Sequence, residues 1–411
     1  MRHTLSLGQR QIPKIAVFIL PISLILLADS IMSYLFPVFT EKTLTSNTQM
    51  GLVMGFSSLV GFLFDLITPK IFSKRSWGLM ITCTIVSAIF FPLSTYIGIQ
   101  TSHIAWFFFA AAIWGVYFEF LFFSAQDFIV SEEPKRFFQK DQGLLSSIWQ
   151  LTSIIGPIIG GLLLSTSLTQ FVVVVITLQL VAYGIYIIFF PHETYKEVQR
   201  ERNNTNTPSL SLKDTINHMH GYLTRLLPLV ILGFSNSFIS SFFFTVGGLF
   251  GMQVATSILP DWFLLITFSF FGIIATLLGP HLPLQTSKHF LAIRFLGLSG
   301  LLLLCFGLVH DSLVIYSLTA LLGFFLLSSY FIVDITYEEI SRLAGKDELY
   351  IFSIARVATS VAFILGPILA GYTSDLLGYQ YAASVFGGII LCITIILFRI
   401  TPSSFSLKTN I

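Results

Sequence analysis

Residues 146–165 read SSIWQLTSIIGPIIGGLLLS, an apolar run that contains Gly156, Pro157, Gly160 and Gly161. A helix needs about 20 apolar residues to cross a bilayer, so the length of this run fits one membrane span. Within a span, glycine allows two helices to approach closely and proline bends the helix. The stretch therefore predicts a transmembrane helix in which the glycines and the proline serve either close packing between helices or a conformational change.

The composition extends this prediction to the whole chain. Of its 411 residues, 55% are hydrophobic and 10% are charged, whereas soluble domains have about 25% charged residues. Apolar runs recur between polar breaks without the alternation of barrel strands. We therefore predict an all-α polytopic membrane protein with twelve transmembrane helices. The spans are expected near residues 15–38, 48–68, 77–98, 103–129, 142–165, 169–190, 226–250, 261–280, 290–309, 312–335, 350–373 and 379–400.

The basic residues predict the orientation. With the N-terminus in the cytoplasm, all of the 22 Lys and Arg residues except Lys42 and Arg356 fall in or beside cytoplasmic segments. Cytoplasmic loops of membrane proteins carry such an excess of Lys and Arg. The pattern predicts an even number of spans in the cell membrane (inner or plasma membrane), with both termini cytoplasmic.

The longest polar interruption lies between the sixth and seventh spans and divides the chain in two. We predict an N-terminal six-helix bundle over residues 1–190, a cytoplasmic linker over 191–225 and a C-terminal six-helix bundle over 226–411. The linker has mixed charges and many Asn and Thr residues, which is typical of a solvated connection.

An internal repeat supports the two halves. Gly115 precedes the Gly-Pro of the fifth span by 41 residues, and Gly323 precedes the Gly-Pro of the eleventh span by 43 residues. Both intervals contain an Asp followed by a Glu-Glu pair and a basic loop. Parallel repeats six helices apart are typical of transporters whose halves are related by an axis along the membrane normal.

These features resemble the major facilitator superfamily (MFS) of secondary transporters over all twelve spans. Gly61 and Asp65 match the family's loop after span two, and the Gly-Pro-x-x-Gly-Gly of span five resembles the motif of the drug/proton antiporter branch. Leu66 and Thr68 replace the loop's Arg and Gly, and span four lacks the Arg of many members. The resemblance implies two six-helix bundles related by pseudo-two-fold symmetry, with spans one, four, seven and ten around a central cavity.

Two acids within predicted spans are the main site candidates. Asp29 lies in the first span and Glu119 in the fourth. A carboxylate at the bilayer centre costs about 2.5 to 3.5 kcal/mol on insertion scales and is therefore expected to have a function. We predict that both acids couple protons or bind substrate, with a purely structural role in tying helices together as the alternative.

Further polar and aromatic residues are candidates for the wall of the cavity. Some share a helix face with an acid, such as Gln126 with Glu119 and Ser33 with Asp29; others form a polar stripe in span seven. Packing between helices is the alternative for each. The candidates are Ser33, Tyr34, Trp114, Tyr117, Gln126, Trp149, Gln150, Asn236, Ser240 and Tyr330.

A third group is predicted to act in gating or structure. Arg356 either extends toward the interface or forms a latch with Asp65, because the acid of the loop after span two docks on span eleven in the resembling family. The two Gly-Pro motifs are expected to form a paired bend where the halves meet. The group comprises Asp65, Arg356, Gly156, Pro157, Gly160, Gly161, Gly366, Pro367 and Gly371.

Other chemistry lacks the residues to carry it. The sequence contains no metalloprotease, nucleophile-elbow or Walker-type motif, no clustered metal ligands and no basic nucleic-acid-binding domain. We therefore expect no enzymatic activity, no cofactor, no metal and no nucleic-acid partner. The expected partners are the lipid bilayer, a small-molecule solute and protons, with the protein as a monomer.

The predicted function is secondary active transport of a small organic solute by alternating access. Proton-coupled efflux of a hydrophobic or cationic compound is favoured by the intramembrane acids, the aromatic content and the motif in span five. The alternatives are a proton symporter or facilitator for a nutrient such as a sugar or an organic acid, and a transporter-like receptor that does not transport.

Overall fold

The computed structural model describes residues 14–71, 77–132, 138–189, 212–278, 288–344 and 348–401. Twelve α-helices account for nearly all of these residues, and no strand occurs among them, which confirms the predicted fold class. The helices are α1 (Lys14–Leu44), α2 (Asn47–Ile71), α3 (Trp77–Thr101), α4 (Ile104–Glu132), α5 (Phe138–Leu164), α6 (Leu168–Phe189), α7 (Leu212–Val254), α8 (Phe263–Leu278), α9 (Lys288–Phe306), α10 (Ser312–Ala344), α11 (Glu348–Leu377) and α12 (Tyr379–Ile400).

Ten of the described helices are long and apolar enough to cross a membrane. The other two are α2, with 25 residues, and α8, with 16 residues. The main difference from the predicted spans is at α7, which begins at Leu212 inside the predicted linker. Residues 212–225 contain no proline, so a helix can continue through them into the bundle. Residues 190–211 lie outside the described part of the chain.

The two copies of the repeat pack in the same way. Gly115 brings α4 against the carbonyl oxygen of Ser57 in α2, and Gly323 brings α10 against the carbonyl oxygen of Phe268 in α8. In both places a methyl group would collide with backbone, so glycine is required for the close approach. Gly115 and Gly323 thus each join the second and fourth helices of their own half.

The Gly-Pro motifs continue this correspondence. Gly156 in α5 packs on Ser30 in α1, and Gly366 in α11 packs on Ser241 in α7. These contacts lie within the N-terminal half (α1–α6) and the C-terminal half (α7–α12), respectively. The first glycine of each motif therefore holds the fifth helix of a half against the first helix of that half.

The last glycine of each motif faces the opposite half. Gly161 in α5 packs on Trp262, which immediately precedes α8, and Gly371 in α11 packs on Asn47, the first residue of α2. Each motif thus makes two helix contacts, one within its own half and one with the opposite half. Close packing of helices, one of the two interpretations of the sequence, accounts for these glycines.

Buried apolar side chains form two clusters that show where the halves meet. The larger cluster joins both halves and includes Phe36, Phe107 and Phe243. The smaller one includes Phe18 and Phe128, and all of its buried members belong to the N-terminal half. The members of the larger cluster from α1 come from the part that leads to α2. The halves are therefore packed together toward the end of the bundle at residues 44–47, here called the outer end.

Candidate functional site

Glu119 lies where α4 packs most closely on α2. A methyl group at Gly61 of α2 would be 3.4 Å from the carbonyl oxygen of Gly115 and 3.5 Å from Oε1 of Glu119. Gly115 and Glu119 are one turn apart on α4 and share a face. The missing side chain at Gly61 therefore leaves room for the carboxylate, and the Glu119 side chain is 10% exposed.

The partner of this carboxylate comes from the other half. Nη2 of Arg356 in α11 donates a hydrogen bond to Oε2 of Glu119 at 2.7 Å. The guanidinium carbon also lies 4.3 Å from the ring centroid of Phe122, one turn along α4, within the range of a cation–π interaction. Glu119 and Phe122 thus hold Arg356 from two directions, and α4 and α11 are linked across the two halves.

Pairing is the physical reason that both charges are tolerated. Removing one partner of a buried pair leaves the other charge uncompensated, which is strongly destabilising. That penalty is reduced here because the Arg356 side chain is 38% exposed. Any movement that separates α4 from α11 must therefore replace the partner of Arg356 or neutralise Glu119.

Hydroxyl groups of the C-terminal half continue the site beyond Arg356. Thr359 follows Arg356 by about one turn of α11, and its Oγ1 accepts a hydrogen bond of 3.4 Å from Oγ of Ser237 in α7. The Tyr330 hydroxyl in α10 lies close to both groups and is near enough to Asp334 and Arg356 to be affected by their charges. We call these residues and the ion pair the central polar site: Glu119, Phe122, Ser237, Tyr330, Arg356 and Thr359.

Asp29 has different neighbours from Glu119. Nε1 of Trp114 donates a 2.9 Å hydrogen bond to Oδ1 of Asp29. The Tyr117 hydroxyl, which donates to the backbone carbonyl of Ile25 at 3.4 Å, also lies close to this carboxyl group. The Ser33 hydroxyl donates to the backbone carbonyl of Asp29. These contacts join α1 and α4 within the N-terminal half. The sequence predicts the same role for the two acids, whereas the structure gives them separate partners on different faces of α4.

Tyr34 lies in the seam between three helices. A methyl group at Gly160 of α5 would be 2.6 Å from Cδ1 of this ring, and one at Gly248 of α7 would be 3.2 Å from Cε2. The ring is 2% exposed. Tyr34 thus packs α1 against both α5 and α7 near the outer end.

The remaining cavity candidates are dispersed. Trp149 contacts Phe118 edge to face, with 5.3 Å between ring centroids, and Gln150 is partly exposed. Asn236 is fully buried, and neither of its amide atoms has a hydrogen-bond partner among the described residues. The Ser240 hydroxyl donates a hydrogen bond to the backbone carbonyl of Asn236. Of the ten predicted wall residues, Tyr330 is the one that belongs to the central polar site.

Two predicted side chains lie outside the described ones. The backbones of Gln126 and Asp65 belong to α4 and α2, but their side chains are not among those described. The Asp65–Arg356 latch therefore stays a prediction. The structure does give Arg356 a partner that the sequence analysis did not consider, Glu119.

At the outer end, α11 caps α2. The Asp375 carboxylate accepts hydrogen bonds from the backbone amides of Asn47, at 2.9 Å, and Thr48, at 2.8 Å. The Ser46 hydroxyl donates to the same carboxylate at 3.1 Å. A carboxylate in this position satisfies amide groups that a helix start leaves unpaired. This cap crosses the two halves and closes the outer end.

The seam continues along α2 from this cap. Gly51 lies against the carbonyl oxygen of Pro367, and a methyl group at Gly55 would be 2.7 Å from the carbonyl oxygen of Ile364. Gly55 is two turns beyond the start of α2, which is about 12 Å into the bundle. The two halves are therefore sealed from the outer end inward.

The pairing of Glu119 with Arg356 was not predicted from the sequence. The two residues are separated by 237 positions. A signal was nevertheless present, because an acid in the middle of one span and the single base of another span each require a partner in an apolar environment.

A family model of the Major Facilitator Superfamily matches residues 18–345. The chain belongs to this superfamily of transporters. It is accordingly an integral, multi-pass membrane protein. A search of curated proteins found no significant match.

Solved structures of this fold align with almost the whole chain. A bacterial homolog of the human lysosomal transporter Spinster, in an inward-facing and unoccupied conformation, has a TM-score of 0.70 at 12% identity and covers 95% of this chain and 98% of its own. A POT family transporter in complex with 5-aminolevulinic acid has a TM-score of 0.69 at 13% identity, covering 96% and 97%. The human organic anion transporter MFSD10 (TETRAN) has a TM-score of 0.62 at 15% identity, covering 93% and 98%. At these identities the likeness concerns the fold.

Proposed function

We propose that this superfamily member moves a small organic solute by alternating access and couples the movement to protons at Glu119. The observation that carries the proposal is the ion pair between Glu119 in α4 and Arg356 in α11. It is an ionisable contact between the two halves, and both of its residues lie within candidate membrane spans. Intramembrane ionisable groups of transporters commonly mark proton or substrate pathways.

The pair supplies a mechanism for coupling. A proton on Glu119 removes its negative charge and with it most of the attraction for Arg356. The guanidinium can then bind another anionic group more strongly, and α4 and α11 lose a contact that holds them at this distance. A two-state movement of the halves can be driven in this way, because protonation changes the relative free energies of the two states.

Among the described side chains, Arg356 is the charged group that contacts Glu119. The sequence of α3 contains no charged residue, and Asp29 of α1 contacts the other face of α4. On α2, Asp65 lies one turn beyond Gly61 and its side chain is not described. Arg356 is therefore the group to which the proton affinity of Glu119 is expected to respond most strongly.

The orientation of the chain indicates which side of the membrane the closed outer end faces. With both termini in the cytoplasm of the cell membrane, as the basic residues suggest, the outer end faces the outside of the cell. The seam from Asp375 to Gly55 then closes the extracellular side. We accordingly propose that the structure corresponds to an inward-facing state of a monomeric transporter.

Two directions of transport remain candidates within this function. Efflux of a hydrophobic or cationic compound is favoured by the span-five motif and the aromatic content. Proton symport of a nutrient, such as an organic acid, is favoured by the partly exposed Arg356, which offers a cation where α4 and α11 of the two halves meet. In exchange, proton and solute move in opposite directions; in symport they move together.

Proteoliposomes test the coupling. A thermal-shift screen of the purified protein against solute classes at two pH values selects a ligand, because a ligand stabilises the state that it binds. Its radiolabelled form is then followed in vesicles with and without a pH gradient. We expect the gradient to drive accumulation or depletion by wild-type protein. Glu119→Gln should retain exchange of labelled for unlabelled solute but lose the response to the gradient.

The matched control is Glu339→Gln. Glu339 forms an ion pair with Lys288, but both residues belong to the C-terminal half and Glu339 is 52% exposed. This substitution removes the same charge and should leave gradient-driven transport intact. Full gradient-driven transport by Glu119→Gln would contradict the proposal.

A further inference from the structure

We propose that the transported solute is an organic monoanion, a carboxylate with an apolar body, and that its carboxylate binds Arg356 in the central polar site. This inference rests on the proposed proton coupling at Glu119 and adds the chemical class of the solute. It selects symport over efflux of a cationic compound.

Accessibility decides which member of the ion pair a solute reaches. The Arg356 side chain is 38% exposed, whereas the Glu119 side chain is 10% exposed. The carboxylate of Glu119 lies against Gly61 and Gly115, where α2 and α4 pack on each other. A cationic solute would have to enter this helix contact to replace Arg356. An anionic solute needs to approach only the guanidinium.

The groups around Arg356 suit a carboxylate. A guanidinium presents five N–H donors in a planar fork that can bind a carboxylate through two parallel hydrogen bonds. Thr359 is one turn away on the same helix. Its hydroxyl accepts a hydrogen bond from Ser237, and the Tyr330 hydroxyl lies nearby. These hydroxyls provide further donors for an oxyanion within the C-terminal half.

Phe122 provides the surface for an apolar body. Its ring lies 4.3 Å from the guanidinium carbon, so a solute held by Arg356 is also next to an aromatic face. Phe122 is partly exposed. An apolar group placed there would be removed from water, which is favourable in proportion to the area buried.

Charge balance links the anion to a single proton. In the structure, Glu119 and Arg356 together carry no net charge. When one proton neutralises Glu119 and one monoanion binds Arg356, the site is again neutral. This exchange avoids a net charge in a poorly solvated region, which would be costly. The anion is therefore expected to bind together with the proton, because the protonated site attracts it more strongly than the ionised pair does.

Asp334 limits the charge of the solute. It lies one turn beyond Tyr330 on α10, so its carboxylate is close enough to act electrostatically on the Tyr330 hydroxyl. A second negative charge on the solute would be repelled at this side of the site. The arrangement therefore favours a monoanion over a dianion.

The test compares solutes that differ only in their head group. Purified full-length protein is incubated with phenylacetate, phenylacetamide or phenethylamine, and with hexanoate, hexanamide or hexylamine. Thermal stabilisation and equilibrium binding are measured in mildly acidic and mildly alkaline buffer. We expect both carboxylates to stabilise the protein, more strongly in acid, and the amides and amines to have no effect.

Variants locate the binding group. Glu119→Gln should bind the carboxylates at least about fivefold more tightly than wild type in alkaline buffer, because the carboxylate of Glu119 no longer competes for Arg356, and should lose the pH dependence. The double variant Glu119→Gln with Arg356→Gln keeps the pair neutral and should lose about tenfold or more in affinity. Arg294→Gln removes an exposed cation of α9 and is the matched control, with unchanged binding.

The outcomes separate this inference from the proposed function. Stabilisation by the amines, abolished in Glu119→Gln, would overturn the anion assignment while leaving proton coupling intact. Carboxylate binding that requires Arg356 but moves no protons in vesicles would support the assignment and contradict the coupling. The absence of stabilisation by either carboxylate, or unchanged carboxylate affinity in the double variant, would also overturn the assignment.

Discussion

The N-terminal and C-terminal halves share their close helix contacts but differ in charge at the same position. In the N-terminal half, Gly61 of α2 makes room for Glu119 of α4; in the C-terminal half, Gly272 of α8 makes room for Leu327 of α10. Backbone approach requires glycine in both halves, whereas the side chain that fills the space is free to differ. The shared contacts support the fold, and the chemistry of transport is expected at the differences.

The polar groups of the two halves are complementary. The N-terminal half contributes a carboxylate and an aromatic ring to the central polar site, Glu119 and Phe122. The C-terminal half contributes a guanidinium and hydroxyl groups, from Arg356, Thr359 and Ser237. An ionisable acid on one half and its cation on the other allow a proton to act on the contact between them.

The largest effect is expected where the charges of the halves differ. Glu119→Leu gives the N-terminal half the residue found in the C-terminal half and should abolish gradient-driven transport, because no group remains to carry the proton. Leu327→Met changes the corresponding position with little change of volume. It should lower the free energy of unfolding by less than about 1.5 kcal/mol and leave transport unchanged. The measurement is solute flux in proteoliposomes. Proton-driven flux by Glu119→Leu would show that the difference between the halves is unrelated to coupling.

The next effect concerns the contacts that the halves share. Gly115→Ala and Gly323→Ala should each lower the free energy of unfolding by about 1–3 kcal/mol or more, because the added methyl group meets backbone that cannot move aside. Gly388→Ala in α12 is the control: nothing lies within 4 Å of its added methyl group, and alanine favours helix. Thermal unfolding measures all three. Equal melting temperatures for the three variants would contradict the shared role of Gly115 and Gly323.

A smaller effect is expected at the outer end, where one half caps the other. Asp375→Ala should shift the protein away from the closed outer end by up to about 1–2 kcal/mol, the usual contribution of a cap. Asp311 accepts a hydrogen bond from the backbone amide of Val314 and caps α10 within one half. Asp311→Ala should therefore affect stability but not conformation. Accessibility of a cysteine placed at Asn47 reports the opening, and equal reactivity in both variants would contradict the account.

The smallest effect on transport is expected from Asp29→Asn. The amide can still accept the hydrogen bond of Trp114, so coupling should persist while the melting temperature falls slightly. The proteoliposome assay with a pH gradient measures coupling. Loss of the gradient response would instead support the prediction from sequence that Asp29 carries protons. It would also extend the coupling pathway into the N-terminal half.

Much of the fold could be predicted from the sequence, because span length and apolar character are local properties. The spacing from Gly115 and Gly323 to the Gly-Pro motifs also indicated the repeat that the helix contacts show. The extent of α7 was harder to predict. A polar helix that leaves the membrane has no apolar pattern to mark its start at Leu212.

The candidate site could be predicted only in part. Glu119 and Arg356 stood out as charges within spans, but their pairing depends on how α4 and α11 lie across the two halves. Sequence spacing carries no information about that contact. Asp29 looked equivalent to Glu119 by the same argument. In the structure, Asp29 contacts one face of α4, whereas Glu119 projects from another face of the same helix. The face on which a residue lies changes with each position along a helix.

The most direct test of the central claim is the distance between the halves at the outer end as a function of pH. Spin labels at Ser167 and Leu376, with Cys83, Cys305 and Cys392 replaced by alanine, report this distance by pulsed electron paramagnetic resonance. We predict a short distance for wild type in alkaline buffer and a longer one in acid. Glu119→Gln should show the longer distance in both buffers. The same pH-dependent change in Glu119→Gln as in wild type would contradict the claim that a proton on Glu119 releases the two halves.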